Sequence, residues 1–374
     1  MTGSRRRDYV QVRETAEEQA VSGEARSLHQ PMLPVVVDAM GGDHAPSAPV
    51  QGAIQAAAAD GVPVILVGHE DALRPLVGVA AMGGLVHIHH APDVVGMGDE
   101  AVAAVRRRPG SSIVVAMDLL RAGRGCAVVS AGHSGAVVAA AVLHLGRLPG
   151  IERPALGIPF PTTVGKWVLV IDAGAVVDPR PQWLVQQAAL AAGYVRTVWG
   201  VEEPRIGLLS NGEEPEKGNR LVRETHHLLA QAFGAQFAGN VEPHQIPDGP
   251  VDVVVCDGFT GNILLKTAEG VAALIQRVLR DALRRHWYTA LLGLMLRPTL
   301  RREMQRLDYR TYGGVPLLGV NGLVYVAHGR SDAYAMRRAV QAAAQAARAG
   351  LLARLERVAA EQSAVEAEAK DRRG

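Results

Sequence analysis

Leu33-Pro34-Val35-Val36-Val37-Asp38-Ala39-Met40-Gly41-Gly42-Asp43-His44-Ala45-Pro46 is the stretch on which the reading of this chain turns. A short run of β-branched, apolar residues ends in a carboxylate and breaks at once into a glycine pair. Continuous apolarity, as opposed to alternation, marks a strand covered on both faces. Paired glycines after it allow backbone to approach a ligand or a second loop closely. The same texture recurs at 63–67 (PVILV), 85–89 (LVHIH), 126–130 (CAVVS), 167–172 (WVLVID), 206–210 (IGLLS) and 251–257 (VDVVVCD), between Ala- and Leu-rich stretches of helical length. Such strands, separated by helices, predict an α/β fold with a mostly parallel sheet covered on both faces.

Several of these runs end in a polar residue: Asp38, Ser130, Asp172, Ser210 and Asp257. Ligands of open parallel sheets bind beyond the carboxyl ends of strands. Any one of the five reads equally as a helix cap. Together they predict a shared, phosphate-sized site.

Composition narrows the classes. The chain has 374 residues, 48% of them hydrophobic and 20% charged, with 41 glycines and only 4% aromatics. That favours tight turns and a core of Val, Leu and Ala. A net charge of +2 offers no whole-molecule field for nucleic acid. Cys126 and Cys256 are too few for a disulfide framework, have no metal-ligand spacing around them, and read as buried small hydrophobes. No apolar run approaches the roughly 20 residues that span a bilayer. Arg5, Arg6 and Arg7 lead into Glu14, Glu17 and Glu18 instead of an apolar signal core, so the chain reads as cytoplasmic.

Residues 1–32 read as a disordered or loosely helical extension, 33–350 as the folded α/β domain, and 351–374 as a charged, fraying C-terminal tail. Within the domain, 276–310 reads as a basic and apolar helical protrusion. From about 270 to 312 nine arginines face three acids, and Trp287–Leu296 (WYTALLGLML) lies between them. Arg277, Arg280, Arg284, Leu294 and Leu296 there suit an interfacial helix on an anionic membrane or a surface for an acidic protein. A helical hairpin buried in a dimer, with solvated arginines, fits the same composition.

The nonapeptide Asp38–Pro46 resembles the start of the bacterial phosphate acyltransferase family (PlsX type), and the likeness continues in register. Met97–Arg108 with Ser111-Ser112, Ser130–Ala136, Gly150–Ala155, Gly207–Leu209, Glu214–Asn219, Gly239–Glu242, Val253–Asn262, Lys266-Thr267, Glu269-Gly270, Tyr312–Gly314, Leu317–Gly322 and Ala327–Gly329 follow in family order, so that the match covers roughly residues 34–345. The resemblance implies a three-layer α/β/α fold, like that of isocitrate and isopropylmalate dehydrogenases or of phosphotransacetylases. It implies transfer of a fatty-acyl group from acyl-acyl-carrier-protein to inorganic phosphate, giving acyl phosphate for phospholipid synthesis. It further implies a homodimer, acyl carrier protein and a membrane glycerol-3-phosphate acyltransferase as partners, peripheral membrane association, and no cofactor or metal. Two places depart from the family pattern: Val176 stands where an Asn is usual, and His133-Ser134 where Asn-Thr is usual.

Phosphate is ionised near neutral pH and a thiol leaves with a pKa of about 8.5, so neither demands a strong acid or base. The need is for donors and a cation around an anion that meets a carbonyl. The family match then implies Lys217 as the principal cation and Asn262 as a donor to the tetrahedral intermediate. His44 with Asp43 would orient phosphate or move its proton, and Asp257 would pin Lys217 or Asn262. Gly41, Gly42, Ser130, Ser134, Asn219, Gly261 and Lys266 would line the phosphate and substrate pocket. Without the match, Lys217 and Asn219 read equally as a solvated loop and a cap, Asp257-Gly258 and Gly261-Asn262 as turn residues, and His44 as a cap. His328-Gly329 reads as structural.

Two rival functions remain open on the sequence. One is a dehydrogenase of the same superfold, against which stands the lack of a Gly-x-Gly-x-x-Gly turn after the first strand. The other is a catalytically weak, membrane-associated scaffold of lipid synthesis, for which the departures at Val176 and His133 speak.

Overall fold

The computed structural model describes residues 32–78, 83–306 and 309–371. The expected extension, apart from its last residue, and the final residues 372–374 lie outside them. The first half alternates β1 (Val35–Asp38), α1 (Ser47–Asp60), β2 (Val64–Gly68), α2 (Glu70–Val77), β3 (Val86–His90), α3 (Ala101–Arg107), α4 (Ser112–Arg121), β4 (Ala127–Ser130) and α5 (Ser134–Ala140). The second half carries β5 (Ala155–Pro161), β6 (Trp167–Ile171), α6 (Pro181–Trp199), β7 (Ile206–Leu209), α7 (Arg220–Phe233), β8 (Phe237–Val241), β9 (Val253–Val255) and α8 (Gly258–Arg284). Then come α9 (Trp287–Arg306), β10 (Gly314–Leu318), β11 (Val324–Ala327), α10 (Ala333–Arg348) and α11 (Leu351–Asp371).

The strands join in one sheet, ordered β3-β2-β1-β4-β11-β10-β5-β6-β9-β7-β8. It is mostly parallel, as expected, but its centre is not: β11–β10, β10–β5 and β5–β6 pair antiparallel. Following those pairings, β6, β9, β7 and β8 run in the opposite sense to β1, β2, β3, β4 and β11. The five polar strand ends therefore do not all lie at the same end of the sheet. Asp38 and Ser130 close strands of one sense, whereas Asp172, Ser210 and Asp257 follow strands of the other. The strands that cause the reversal, β5 and β10, escape the sequence reading because Gly157, Pro159, Pro161, Gly314 and Pro316 interrupt their apolar pattern.

Helices cover both faces. Val36, Val128, Val324 and Val326 meet Ile113 and Met117 of α4 and Val137 of α5 in one core cluster. Val35 and Val37, which alternate to the other face, are fully buried where α1 and α10 pack on the sheet. Each such valine contributes about 1.5–3 kcal/mol by leaving water. α1 and α10 approach so closely that a Cβ on Gly52 would stand 2.5 Å from the Met336 Cβ, which is why alanine dominates both and a glycine stands where they cross. In the second half, Val168, Val170, Leu209, Val254 and Cys256 form a separate cluster on which Leu264 of α8 rests.

Three expectations change in detail. The charged tail after 350 begins as a packed helix, with Leu351, Leu355, Val358 and Ala359 buried and Val358 seated near Gly193 of α6. The protrusion expected over 276–310 belongs to a hairpin of α8 and α9, whose first helix begins at Gly258 with its first turns packed on the sheet. Cys256 is buried but Cys126 only partly so; burial pushes the Cys126 thiol up to about 11 and Cys256 well above its usual value. Among the described residues no helix is long and apolar enough to cross a membrane.

Candidate active site

The turn after β1 interlocks with two others. A Cβ on Gly41 would stand 2.7 Å from both Asp38 Oδ2 and the Gly132 nitrogen, so only glycine lets the turns after β1 and β4 meet. Gly42 takes a φ of 104°, and Asp43 N donates to the Gly329 carbonyl at 2.8 Å. Asp38 lies beneath, 2% exposed. It accepts from Ser130 Oγ at 2.7 Å and from Met40 N at 3.2 Å. Burial pushes its carboxyl above the ordinary range, against the opposing pull of bonds from Ser112 and Ser130. A narrow cleft with room for little more than one water opens above; Asp38, Gly41, Ser112, Ser130, Gly132 and His133 give it a polar side, and Val94, Val95, Ile113 and Val137 an apolar one.

Ser130 is already bonded within the protein. The Ser130 hydroxyl gives its one proton to Asp38 and accepts from Gly132 N at 3.1 Å, so it has no donor left for an anion. Ser134 is exposed at the start of α5. His133 precedes it as the helix cap, its Nδ1 accepting from Ala136 N at 3.2 Å, which accounts for one departure from the family pattern. His44 is exposed, and its carbonyl accepts from Ala48 N at 3.0 Å.

The loops after β6, β9 and β7 form a second group, because these strands are parallel neighbours. Asp172, fully buried, gathers the first of them: its oxygens accept from the nitrogens of Leu156, Gly174, Ala175 and Val176 at 2.7–3.1 Å. Burial nonetheless raises its carboxyl above the ordinary range. Val176 acts here through its backbone, its N–H going to Asp172 and its carbonyl accepting from Gly258 N at 2.8 Å. The side chain that departs from the family pattern is not what organises the loop.

Asp257 caps α8. Its Oδ1 accepts from Thr260 N at 2.8 Å and its Oδ2 from Thr260 Oγ1 at 2.7 Å. Both oxygens thus hold Thr260, and among the described residues neither accepts the expected bond from Lys217 or Asn262. Gly261 lets the first turn of α8 lie against the Asp172 peptide, since a Cβ there would stand 2.0 Å from the Asp172 carbonyl oxygen. Asn262, next along, is exposed and faces Gly174. Asn219 caps α7 through Oδ1, which accepts from Val222 N at 2.9 Å. Lys217 is exposed on the preceding turn, its stem laid over Gly212, where a Cβ would stand 2.7 Å from the lysine Cγ. Ser210 Oγ, beneath Gly218 of that turn, is buried and has no hydrogen-bond partner among the described residues.

Helix α8 carries the second group to the first. Lys266 pairs with Glu269 at 3.2 Å, and both act electrostatically on His328, which also senses Asp43. Partial burial and the Lys266 charge hold the His328 imidazole below its ordinary pKa. The sequence reads His328 as structural, and its Nδ1 accepts from Arg330 N at 3.0 Å. Sequence reasoning passed over Asp99 and Arg108. They pair at 2.6 Å while Arg108 also donates to the Val94 carbonyl at 2.7 Å, fixing the loop that walls the pocket. Among the described residues no three His, Cys, Asp or Glu side chains cluster as metal ligands.

Comparison with known proteins bears on this geometry. A family model described as fatty acid synthesis protein matches residues 33–354. A phosphate acyltransferase of a Synechococcus strain is 48% identical over 86% of this chain and 88% of its own length. One from Geobacter sulfurreducens is 47% identical over 86% and 92%. Among solved structures, a phosphotransacetylase from Streptococcus pyogenes superposes with a TM-score of 0.54 at 18% identity, covering 88% of this chain and 98% of that one. A 4-hydroxythreonine-4-phosphate dehydrogenase from Klebsiella pneumoniae gives 0.50 at 17% identity, covering 84% and 99%. The structural likenesses speak to the fold alone, and they agree with the superfold expected. The family rests on the sequence match across the whole α/β unit: this chain belongs to the fatty acid synthesis protein family, alongside the phosphate acyltransferases.

Proposed function

We propose that this protein is a phosphate acyltransferase that moves a fatty-acyl group from an acyl-carrier-protein thioester to inorganic phosphate, making acyl phosphate for phospholipid synthesis. The observation that carries the reading is a relative's identity of 48% over 86% of the chain, a span that includes almost the whole α/β unit. In the reaction a phosphate oxygen attacks the thioester carbonyl carbon. A C–O bond forms, negative charge collects on the carbonyl oxygen, the C–S bond breaks, and the thiolate leaves to take a proton from water. The chain's task is to hold one anion while a second develops.

Lys217 supplies the cation and Asn262 a donor for the developing oxyanion; their loops follow the neighbouring strands β7 and β9. Preformed donors of this kind need no reorganisation as the charge appears. In this reading Asn219, Gly261 and Lys266 complete the same side, and Gly41, Gly42, Asp43 and His44 bind phosphate from the turn after β1. Charges of Lys266 and Glu269 on α8 and of Asp43 on the turn after β1 all act on His328, which supports one site shared by both groups.

The α8–α9 hairpin serves docking in this reading. Trp287 is 80% exposed, Met295 72%, Leu294 62% and Leu296 49%, with Arg277, Arg280 and Arg284 on the adjoining helix. Apolar surface beside arginines supports peripheral attachment to an anionic membrane and approach of the acidic carrier protein. So large an apolar face also supports association of two copies. A membrane glycerol-3-phosphate acyltransferase would take up the acyl phosphate.

The test is to incubate the protein with acyl-acyl-carrier-protein and follow free thiol. Thiol is expected to appear only with phosphate, in step with acyl phosphate. Release that ignores phosphate, or no release, would sink the proposal.

A further inference from the structure

Gly239-Asn240-Val241-Glu242 is a motif that the chemistry above leaves without a task. Asn240 sits on β8 at the edge of the sheet and is only 7% exposed. Its amide is a bridge. Nδ2 donates to the Glu214 carbonyl at 2.7 Å, and Oδ1 lies 3.0 Å from Nδ1 of His226 on α7. A carbonyl only accepts, so the amide has one orientation here, and His226 must carry a proton on Nδ1. His226 is steadied in turn by Phe237, edge to face at 5.0 Å.

The Glu214 carbonyl does a second thing. It accepts the backbone N–H of Lys217 at 3.0 Å, and that bond closes the turn on which the lysine stands. Glu213 to Lys217 are all exposed, and an exposed turn with little packing opens easily. The ammonium rides on a flexible four-carbon stem, so its position is no better than that of the turn beneath it. A buried carboxamide spent on this carbonyl ties the turn to the sheet, where leaving the amide unpaired would be costly.

We infer that Asn240, oriented by His226, is a positioning residue that holds the Lys217 turn against the sheet and so sets where the ammonium stands for acyl transfer. The inference rests on the role of Lys217 in the proposed function.

The experiment is a kinetic cycle on the full chain with acyl-acyl-carrier-protein and inorganic phosphate. Asn240→Asp keeps the shape and the His226 partner but sets an acceptor against the Glu214 carbonyl. A misplacement of about 1 Å can cost on the order of 10²-fold, so kcat is expected to fall about 10- to 100-fold with KM for the acyl donor little changed. In a Lys217→Ala background the same substitution is expected to cost nothing further, because residues acting as a unit are not additive. Wild-type kcat in Asn240→Asp, or equal fold-losses in both backgrounds, overturns the inference and leaves Lys217 its role. Wild-type turnover in Lys217→Ala overturns the Lys217 reading itself. Should Asn240→Asp not fold, His226→Ala runs the same cycle. His226→Asn, which puts an amide donor where Nδ1 stood, is then expected to recover most of the loss; no recovery overturns the relay.

Discussion

Two glycines on one helix, exchanged for alanine, are expected to act in opposite directions. Gly261 lies in the first turn of α8, and a Cβ there would meet the Asp172 carbonyl oxygen at 2.0 Å and Cys256 Sγ at 2.9 Å. The nearest atom is backbone, held in place by the Asp172 cluster of amide bonds, so no side chain can swing aside. Relief needs a shift of roughly 1 Å of the helix start or of the 172–176 loop, and overpacking of this kind costs about 1–3 kcal/mol or more. The shift carries Asn262 with it, and a displacement of about 1 Å near a reacting centre costs on the order of 10²-fold in turnover. Gly270 has nothing within 4 Å of its would-be Cβ. There Gly270→Ala is expected to gain about 0.5–1 kcal/mol by removing a glycine from a helix interior. Urea unfolding and phosphate-dependent thiol release, run on both variants, read the two effects. A Gly261→Ala protein as stable and as active as the parent would refute the close approach of α8 to the Asp172 peptide and the argument built on it.

Other expectations are shorter to state. Asn262→Ala should lose about 10²–10³-fold in turnover, the usual effect of removing one oxyanion donor; parental kcat removes Asn262 from the chemistry. Replacing Leu294 and Leu296 together by Glu should abolish binding to anionic liposomes while thiol release in solution continues; persistent liposome binding ends the membrane role of the hairpin. Arg337 grips Asp60 with two bonds of 2.9 and 3.0 Å, and those bonds hold the Asp60 carboxyl below its ordinary pKa. A depressed carboxylate stabilises the fold above its unfolded pKa of about 3.9 and loses that contribution as pH falls through the folded value. Asp60→Asn should therefore cost ~1 kcal/mol at pH 7 and nothing once acid has protonated both states. A difference that stayed constant down to low pH would contradict it.

Much of the fold was legible in the residues. Continuous valine runs such as Val35–Val37 and Val253–Val255 declared buried parallel strands, because a strand covered on both faces has no polar side to show. The three-layer class follows from those runs and the helices between them. β5, β10 and the reversed sense of the second half did not show, because prolines and glycines disguised the strands and pairing partners lie far away in sequence. Of the candidate site, Gly41, Gly42 and Gly261 were named as site glycines, and the structure explains each by a close approach. Ser130 and Asp257 were named for chemistry yet turn out to be bonded to Asp38 and Thr260. A hydroxyl or carboxylate after a strand looks the same in sequence whether it meets a ligand or the next turn.

Composition and motif order by themselves determined the α/β class, the family and the segments from which a site is drawn. Those properties are local, or they recur in register along the chain. Only tertiary structure decided which polar groups are already spent, that His328, Asp99 and Arg108 border the site, and that Asn240 reaches across to the turn bearing Lys217. Hydrogen bonds and close contacts are made between atoms that the chain brings together only after folding, and their partners leave no periodic trace in the order of residues.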